Sequence, residues 1–197
     1  MSAGTPRLER RAAVAALLAE RGPLLVVSGL GSPSYDLFAA GDHDANFYLW
    51  GAMGSAALVG LGLALAQPGR PVAVLTGDGE QLMGMGGLAT IAVKRPGNLS
   101  LVVLDNGHFG ETGMQVSHTG LGLELHRVAA AAGFAEATAL GTLEDISAFR
   151  PALRQLAGGP RFATLRVDAT QPARALPPRD GVHLKNRFRA QLGLAAL

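Results

Sequence analysis

Two short polar segments, each directly after an apolar run, carry the residue types best suited to chemistry. Gly77-Asp78-Gly79 follows the run Val72–Thr76, and Asp105-Asn106-Gly107 follows Leu99–Leu104. The runs predict buried strands, the polar segments predict tight turns, and the helix-period segment Leu82–Val93 predicts a crossover helix. Both turns then lie at the carboxyl ends of parallel strands, where such sheets bind ligands.

Asp78 and Asn106 together predict a site for a metal-bound diphosphate. Asp78 offers a carboxylate oxygen and Asn106 an amide oxygen, and the 26 residues between Gly79 and Asn106 suffice for a crossover helix and the next strand. Two hard oxygen ligands suit Mg²⁺, which completes its shell with water and phosphate oxygens. Gly79 permits a phosphate to approach the backbone closely, and the helix that follows offers free N–H groups.

The paired motifs resemble the GDG…NN signature of thiamine diphosphate (ThDP) enzymes. The segments LWGAMG, GDGEQLMGMGGLATIA and LDNGHFGETGMQ are similar to the small-subunit type related to sulfopyruvate and phosphonopyruvate decarboxylases. The resemblance extends from about Leu24 to Arg189. Asp105 stands where many members have a first Asn, but the ligand position is the second of the pair, Asn106, so metal binding is still expected.

The resemblance assigns roles to individual residues. It implies that Asp78, Asn106 and the main-chain carbonyl of His108 hold Mg²⁺. The Gly51 carbonyl matches the acceptor of the aminopyrimidine amino group, and Met53 matches the apolar residue that bends the cofactor. The catalytic candidates are two residues of the polar loop after Asn106, His108 and Glu111. The expected cofactor-binding residues are therefore Gly51, Met53, Gly77, Asp78, Gly79, Glu80, Asn106 and His108. Further donors considered for an acidic substrate group are His43, Thr112, Gln115, Ser117 and His118.

The same resemblance implies an activity and a partner. It implies the diphosphate-binding subunit of a ThDP-dependent decarboxylase that acts on a small 2-oxo acid such as sulfopyruvate or phosphonopyruvate. The family places the activating glutamate on a separate pyrimidine-binding domain, and this sequence has no clear substitute. We therefore expect a pyrimidine-binding α subunit that supplies the glutamate, within a heteromer that contains a homodimer of this chain.

Three alternatives stay open at this point. The same cofactor chemistry fits a carboligase or an oxidative enzyme subunit, which the sequence does not separate from a decarboxylase. A ThDP-binding module without turnover is the second alternative. The third is an α/β domain in which the Gly-Asp-Gly segment is only a turn. A Rossmann dehydrogenase is disfavoured, because the loop Gly29–Ser34 lacks the third glycine of the dinucleotide fingerprint.

Composition limits the class of protein further. The chain has 197 residues, 48% of them hydrophobic and only 16% charged, which favours one α/β domain partly covered by other subunits. No apolar run is long enough to span a membrane, MSAGTPRLERR does not read as a secretory signal, and cysteine is absent. We therefore expect a cytoplasmic enzyme without disulfides or membrane contact.

The last 25 residues are rich in basic side chains. No aromatic platform or nucleic-acid motif accompanies them, so we interpret this stretch as a solvated or interface-covering tail without a nucleic-acid partner. The basic residues concerned are Arg174, Arg179, Lys185, Arg187 and Arg189.

The predicted fold class is α/β, a three-layer, doubly wound and mainly parallel sheet with helices on both faces. A single domain is expected over residues 1–197, with an extended tail from about residue 171. Gly60 and Gly62 are expected to serve close helix packing. Other predicted helices are Pro6–Glu20, Ser55–Ala66, Leu123–Ala132 and Thr142–Leu156, the last interrupted at Pro151. Other predicted strands are Leu24–Ser28, Glu136–Ala139 and Arg161–Asp168.

Overall fold

The computed structural model describes residues 7–196, which form eight strands and eight α-helices. The strands are β1 (Leu25–Ser28), β2 (Asn46–Tyr48), β3 (Val72–Gly77), β4 (Leu99–Asp105), β5 (His108–Phe109), β6 (Gln115–Val116), β7 (Glu136–Leu140) and β8 (Arg161–Arg166). The helices are α1 (Arg10–Leu18), α2 (Ser32–Ala39), α3 (Ala56–Ala66), α4 (Asp78–Met83), α5 (Gly86–Lys94), α6 (Leu125–Ala132), α7 (Leu143–Phe149) and α8 (Gly181–Gln191).

Six strands form one parallel sheet in the order β2-β1-β3-β4-β8-β7. From β1 the chain moves outward to β2, whereas from β3 it moves in the opposite direction to β4. The boundary between β1 and β3 is therefore a topological switch point, the place where doubly wound sheets leave a crevice at their carboxyl edge. Strands β5 and β6 form a separate antiparallel pair beyond this edge.

Apolar side chains alternate between the two faces of the sheet, and each face has its own core. One core joins Val72, Val74 and Leu101 with residues of α3, α5 and α6. The other joins Ala73 and Leu75 with residues of α1, α2 and α7. The predicted three-layer α/β architecture is thus confirmed. The central strands read as continuous apolar runs because both of their faces are covered.

The predicted helix Leu82–Val93 is in fact two helices. Helix α4 begins at Asp78, directly after β3, so Gly77-Asp78-Gly79 is a strand-to-helix junction instead of a free turn. The break before α5 lies at Gly84, where a Cβ would come 2.1 Å from the carbonyl oxygen of Gly54. Only glycine permits this close approach of two backbones, and the contact fixes the loop before α3 against the end of α4.

Five elements differ from the sequence-based expectations, namely α2, β2, β5, β6 and α8. Residues Ser32–Ala39 form α2 although part of this segment was predicted as a loop, and Asn46–Tyr48 adds the outer strand β2. The polar loop after Asn106 contains the β5–β6 pair. The tail has no helix or strand between residues 171 and 180, but then forms α8. Of the predicted first helix, Pro6 lies outside the described residues and α1 begins at Arg10.

Helix α8 packs against the outer strand β2. The rings of Phe188 and Phe47 lie edge to face with their centroids 5.5 Å apart. Arg187 pairs with Asp42 at 2.6 Å and also donates to the main-chain oxygen of Asn46 at 3.3 Å. Part of the basic tail is therefore engaged in ion pairs within this chain. Within residues 7–196, no helix has the length and apolar character that a membrane crossing requires.

Candidate functional site

The site lies at the switch point, where the carboxyl ends of β1, β3 and β4 meet. A cavity of about 260 Å³ opens there. Its walls are mostly apolar, with a few polar groups along one side, as is usual for small-molecule sites. The cavity brings together nine residues that the sequence singled out: Met53, Gly77, Asp78, Gly79, Glu80, Asn106, His108, Glu111 and Thr112. Gly51 is exposed and is not part of this wall.

Asp78 is the polar centre of the cavity wall. It is the first residue of α4 and is only 2% exposed. Its Oδ2 accepts hydrogen bonds from the hydroxyls of Ser117 and Thr119, the second at 2.9 Å. Burial raises the pKa of the Asp78 carboxyl, the Ser117 hydrogen bond opposes this rise, and the charge of Asp105 adds to it.

Asp105 joins the same cluster of oxygen atoms through Thr119. The Thr119 hydroxyl lies 2.7 Å from Asp105 Oδ1 and 2.8 Å from the Ser117 hydroxyl. Asp78, Asp105 and the two hydroxyls thus make four short oxygen–oxygen contacts, whereas the two hydroxyls supply only two protons. Such a cluster has excess negative charge and excess lone pairs. Its hard oxygen donors fit a cation such as Mg²⁺.

Asn106 forms a local turn with the residues that follow it. Its Oδ1 accepts a hydrogen bond from the His108 main-chain N–H at 2.9 Å. Its main-chain oxygen accepts from Arg7 at 2.8 Å and lies 2.9 Å from His108 Nδ1. An amide oxygen has a second lone pair, so the turn leaves Asn106 able to accept one further partner. Arg7 was not predicted by sequence reasoning, because nothing local links it to Asn106.

Gly79 lies beneath the ring of Phe109. A Cβ on Gly79 would come 2.7 Å from a ring carbon of Phe109, so the glycine allows the aromatic ring to lie directly on the start of α4. We expected Gly79 to permit the close approach of a phosphate, and the described contact is with this loop residue instead. Phe109 in turn packs edge to face against His118, with ring centroids 6.2 Å apart.

The side chain of Glu80 lies inside the protein. It is 3% exposed, and its Oε2 accepts from the Thr76 hydroxyl at 2.9 Å. Burial raises the pKa of the Glu80 carboxyl. The Thr76 hydrogen bond and the main-chain amides of Ala56, Gly54 and Leu30 oppose this rise. One carboxylate therefore connects β3 with the loops after β1 and before α3, the two segments that carry Leu30 and Met53 to the cavity wall.

The fold, the acid cluster around Asp78 and the apolar cavity together are typical of a cofactor-binding α/β domain. Residues 37–167 match the family described as thiamine pyrophosphate enzyme, C-terminal TPP binding domain, and the chain belongs to this family. The family supports thiamine diphosphate as the cofactor. The suspected resemblance to ThDP enzymes is thereby confirmed.

The chain is similar to two curated relatives that are decarboxylases by name. A phosphonopyruvate decarboxylase of Streptomyces hygroscopicus is 48% identical over 139 residues, which are 70% of this chain and 34% of the relative. The sulfopyruvate decarboxylase subunit beta of Methanothermobacter thermautotrophicus is 42% identical over 143 residues, 73% of each chain. The chain therefore spans about a third of the first relative and most of the second.

A solved structure supports the fold. It is a Mycobacterium smegmatis protein assigned as a thiamin diphosphate-dependent enzyme, which superposes with a TM-score of 0.69 at 26% identity. The match covers 84% of this chain and 33% of that one. The match thus takes up about a third of that longer polypeptide.

Proposed function

We propose that this chain is the diphosphate- and Mg²⁺-binding subunit of a ThDP-dependent decarboxylase. The substrate class is a small 2-oxo acid with a second acidic group, of the kind named in the phosphonopyruvate and sulfopyruvate relatives. The observation that carries the proposal is the oxygen cluster that links the buried Asp78 to the partly buried Asp105 at the carboxyl ends of β3 and β4. A divalent cation bound at Asp78 would offset the negative charge of both acids.

The residues proposed to bind Mg²⁺ and the cofactor come from three segments of the chain. Asp78, Asn106 and the carbonyl of His108 would hold Mg²⁺, while the main chain of Gly79 and Glu80 would cradle the diphosphate. Met53 would support the bent cofactor from the opposite wall, and the Gly51 carbonyl would face its aminopyrimidine. Bound ThDP supplies the electron sink that allows a 2-oxo acid to lose CO₂.

His108 and Glu111 are the proposed groups of this chain that face the substrate. If His108 Nδ1 donates to the Asn106 carbonyl, Nε2 of the neutral ring is an acceptor and becomes a donor only on protonation. His108 therefore can hold or deliver a proton at Nε2. Glu111 is exposed at the cavity mouth, where it can take up or release a proton to solvent.

We further propose that a partner subunit supplies the glutamate that activates the cofactor. The Methanothermobacter relative is named as a subunit beta, a name that implies a second subunit in that enzyme. Two glutamates line the cavity in the described chain, Glu80 and Glu111. Glu80 is buried against Thr76 and the neighbouring loops, so its carboxylate already has a structural position. Within the heteromer we propose a homodimer of this chain.

The exposed apolar side chains of α3 to α5 support such subunit contacts. Leu65 is 50% exposed, Met83 64% and Val93 81%, although all three are large and apolar. A surface of this kind is typical of a protein interface. Low overall charge, with only 16% charged residues, is consistent with a buried outer face.

The proposal is tested by calorimetric titration of the full chain with ThDP in the presence and absence of Mg²⁺. We expect metal-dependent binding that Asp78→Asn weakens at least about tenfold, because the variant loses a charge-assisted ligand. The matched control is Asp44→Asn, which changes an exposed aspartate outside the cavity. Decarboxylation of phosphonopyruvate and sulfopyruvate is then assayed after the partner subunit is added.

Three results would contradict the proposal. Absence of ThDP binding by the chain, with and without the partner, would overturn the cofactor assignment. Equal ThDP affinity in Asp78→Asn and Asp44→Asn would overturn the role of Asp78. Binding without CO₂ release by the complete heteromer would instead identify a non-catalytic ThDP-binding module.

A further inference from the structure

A second cavity of about 210 Å³ adjoins the cofactor cavity and is not used by the proposed function. Four residues line both spaces, among them Arg10, Ser32 and Glu111. Its remaining wall comes from α1, α2 and the segment Gln171–Arg174, which crosses the surface between β8 and α8. Unlike the apolar cofactor cavity, this second cavity is lined mostly by charged and polar side chains.

Arg10 is the buried cation of this wall. The residue is 4% exposed although arginine is almost always on the surface. Its Nε donates to Asp36 Oδ2 at 2.7 Å, and its Nη1 donates to the main-chain oxygen of Thr170 at 3.3 Å. A guanidinium carries five N–H donors, and these two contacts use only two of them. A guanidinium fixed by two contacts therefore retains a donor group next to the cavity.

Asp36 does not balance the positive charge around it. This carboxylate is fully buried and faces both Arg10 and Arg11. Arg11 Nε stays 3.6 Å from Asp36 Oδ1, too far for a hydrogen bond, and neither atom has another hydrogen-bond partner among the described residues. One carboxylate thus serves two guanidinium groups.

Arg174, from the segment Gln171–Arg174, adds a third guanidinium to the lining of this cavity. It lies 5.8 Å from the centroid of the Tyr35 ring and makes no ion pair with any residue of the described range 7–196. Three arginines therefore face two carboxylates, Asp36 and Glu111, and the cavity has a net positive charge. Planar guanidinium groups bind the oxygen atoms of phosphate, phosphonate, sulfonate and carboxylate in pairs.

We propose that the cavity walled by Arg10, Arg11 and Arg174 binds a small tetrahedral oxyanion. Two sources share this chemistry: the terminal phosphate of a cofactor held in the adjoining cavity, which has four lining residues in common with this one, and a separate molecule that carries a phosphate, phosphonate or sulfonate. The site itself follows from the three arginines and goes beyond the proposed function. Only the assignment of the first source depends on ThDP binding.

The site is tested on the full chain without ThDP by calorimetric titration with inorganic phosphate at low ionic strength. We expect saturable binding to the unmodified chain and at least about tenfold weaker binding to the double variant Arg11→Gln/Arg174→Gln. Both side chains are partly or largely exposed, so the variant is expected to fold, which circular dichroism checks. Arg189→Gln is the matched control, since Arg189 lies on α8 outside the cavity and contacts Ala195.

The outcomes show whether the site binds an oxyanion and which molecule supplies that oxyanion. Failure of the unmodified chain to bind phosphate, or equal affinity in the double variant and in Arg189→Gln, would overturn the proposal. Arg174→Gln alone provides a second test. Its side chain is exposed, so the substitution does not disturb the core, and we expect the variant to bind phosphate with partly reduced affinity. If saturating ThDP and Mg²⁺ abolish phosphate binding, the cofactor is the source; simultaneous binding identifies a separate ligand. Either result supports the site.

Discussion

The same substitution at two glycines of one helix should change the free energy of unfolding in opposite directions. Gly60 and Gly62 both lie inside α3, so replacing either by alanine gains the same helix preference, about 1 kcal/mol. Their surroundings differ. A Cβ on Gly60 would lie 2.1 Å from Val74 Cγ2, whereas a Cβ on Gly62 would meet nothing within 4 Å.

The structure sets the size of the difference. Val74 is fully buried in the central strand β3 and is β-branched, so its methyl group cannot rotate away cheaply. Overpacking of this kind costs up to about 3 kcal/mol. Gly60→Ala should therefore destabilise the chain by about 2 kcal/mol net, while Gly62→Ala should stabilise it by about 1 kcal/mol.

Urea unfolding of the two variants and the unmodified chain measures this gap directly. Because the helix-preference gain cancels between the variants, their difference of about 3 kcal/mol reports the steric cost alone. Thermal unfolding should separate their midpoints by about 6 to 12 °C for a chain of this size. Shifts in the same direction, or a gap below about 1 kcal/mol, would refute the packing argument. If a second copy of this chain packed on Gly62, the unfolding midpoint would also depend on protein concentration.

Two further predictions concern carboxylates. Glu80→Gln should destabilise the chain by about 1–3 kcal/mol and weaken ThDP binding. The reason is that the amide group of Gln brings an N–H donor to a position surrounded by other donors, the Thr76 hydroxyl and the main-chain amides. Urea unfolding measures the loss of stability, with the exposed Glu144→Gln as the control. Asp145 accepts from the main-chain N–H groups of Gly141 and Thr142, which lower its pKa below the usual 3.8. Its stabilisation is therefore complete above about pH 5 and is lost as the pH falls through the folded pKa. The stability difference between the unmodified chain and Asp145→Asn should shrink from about pH 5 to about pH 2, and a constant difference would contradict this assignment.

The central sheet was predictable because its strands leave a strong local signal. Buried parallel strands are continuous apolar runs, as in Val72–Thr76 and Leu99–Leu104. The start of α7 was also readable, since Thr142 and Asp145 form a reciprocal capping box there. These features depend only on neighbouring residues.

The missed elements depend on contacts that are distant in sequence. Helix α8 has no apolar stripe that a helical period would reveal, and its position is fixed by Phe188 on Phe47 and by Arg187 on Asp42. Helix α2 follows a glycine-rich stretch, and Pro33 at its first turn was its main local signal. Tertiary packing stabilises both helices more than their local propensity does.

The candidate site was predictable at its strand ends and unpredictable elsewhere. Asp78 and Asn106 follow directly from their positions after two strands. Thr119 lies 41 residues beyond Asp78, and only the fold brings its hydroxyl to both acids. Glu80 was expected among the cofactor-binding residues, but no local pattern shows that its side chain turns inward to the loops of Leu30 and Gly54.

The last helix also affects how copies of this chain can meet. An outer strand with free main-chain groups is a template on which another molecule can add a strand. At β2 the chain provides its own cover, since Phe188 shields Phe47 and Arg187 occupies the carbonyl of Asn46. Helix α8, which is far from the cofactor cavity, thus protects β2 from pairing with a strand of another molecule. A shortened chain that ends before Gly181 would expose this edge while leaving the acid cluster of Asp78 in place.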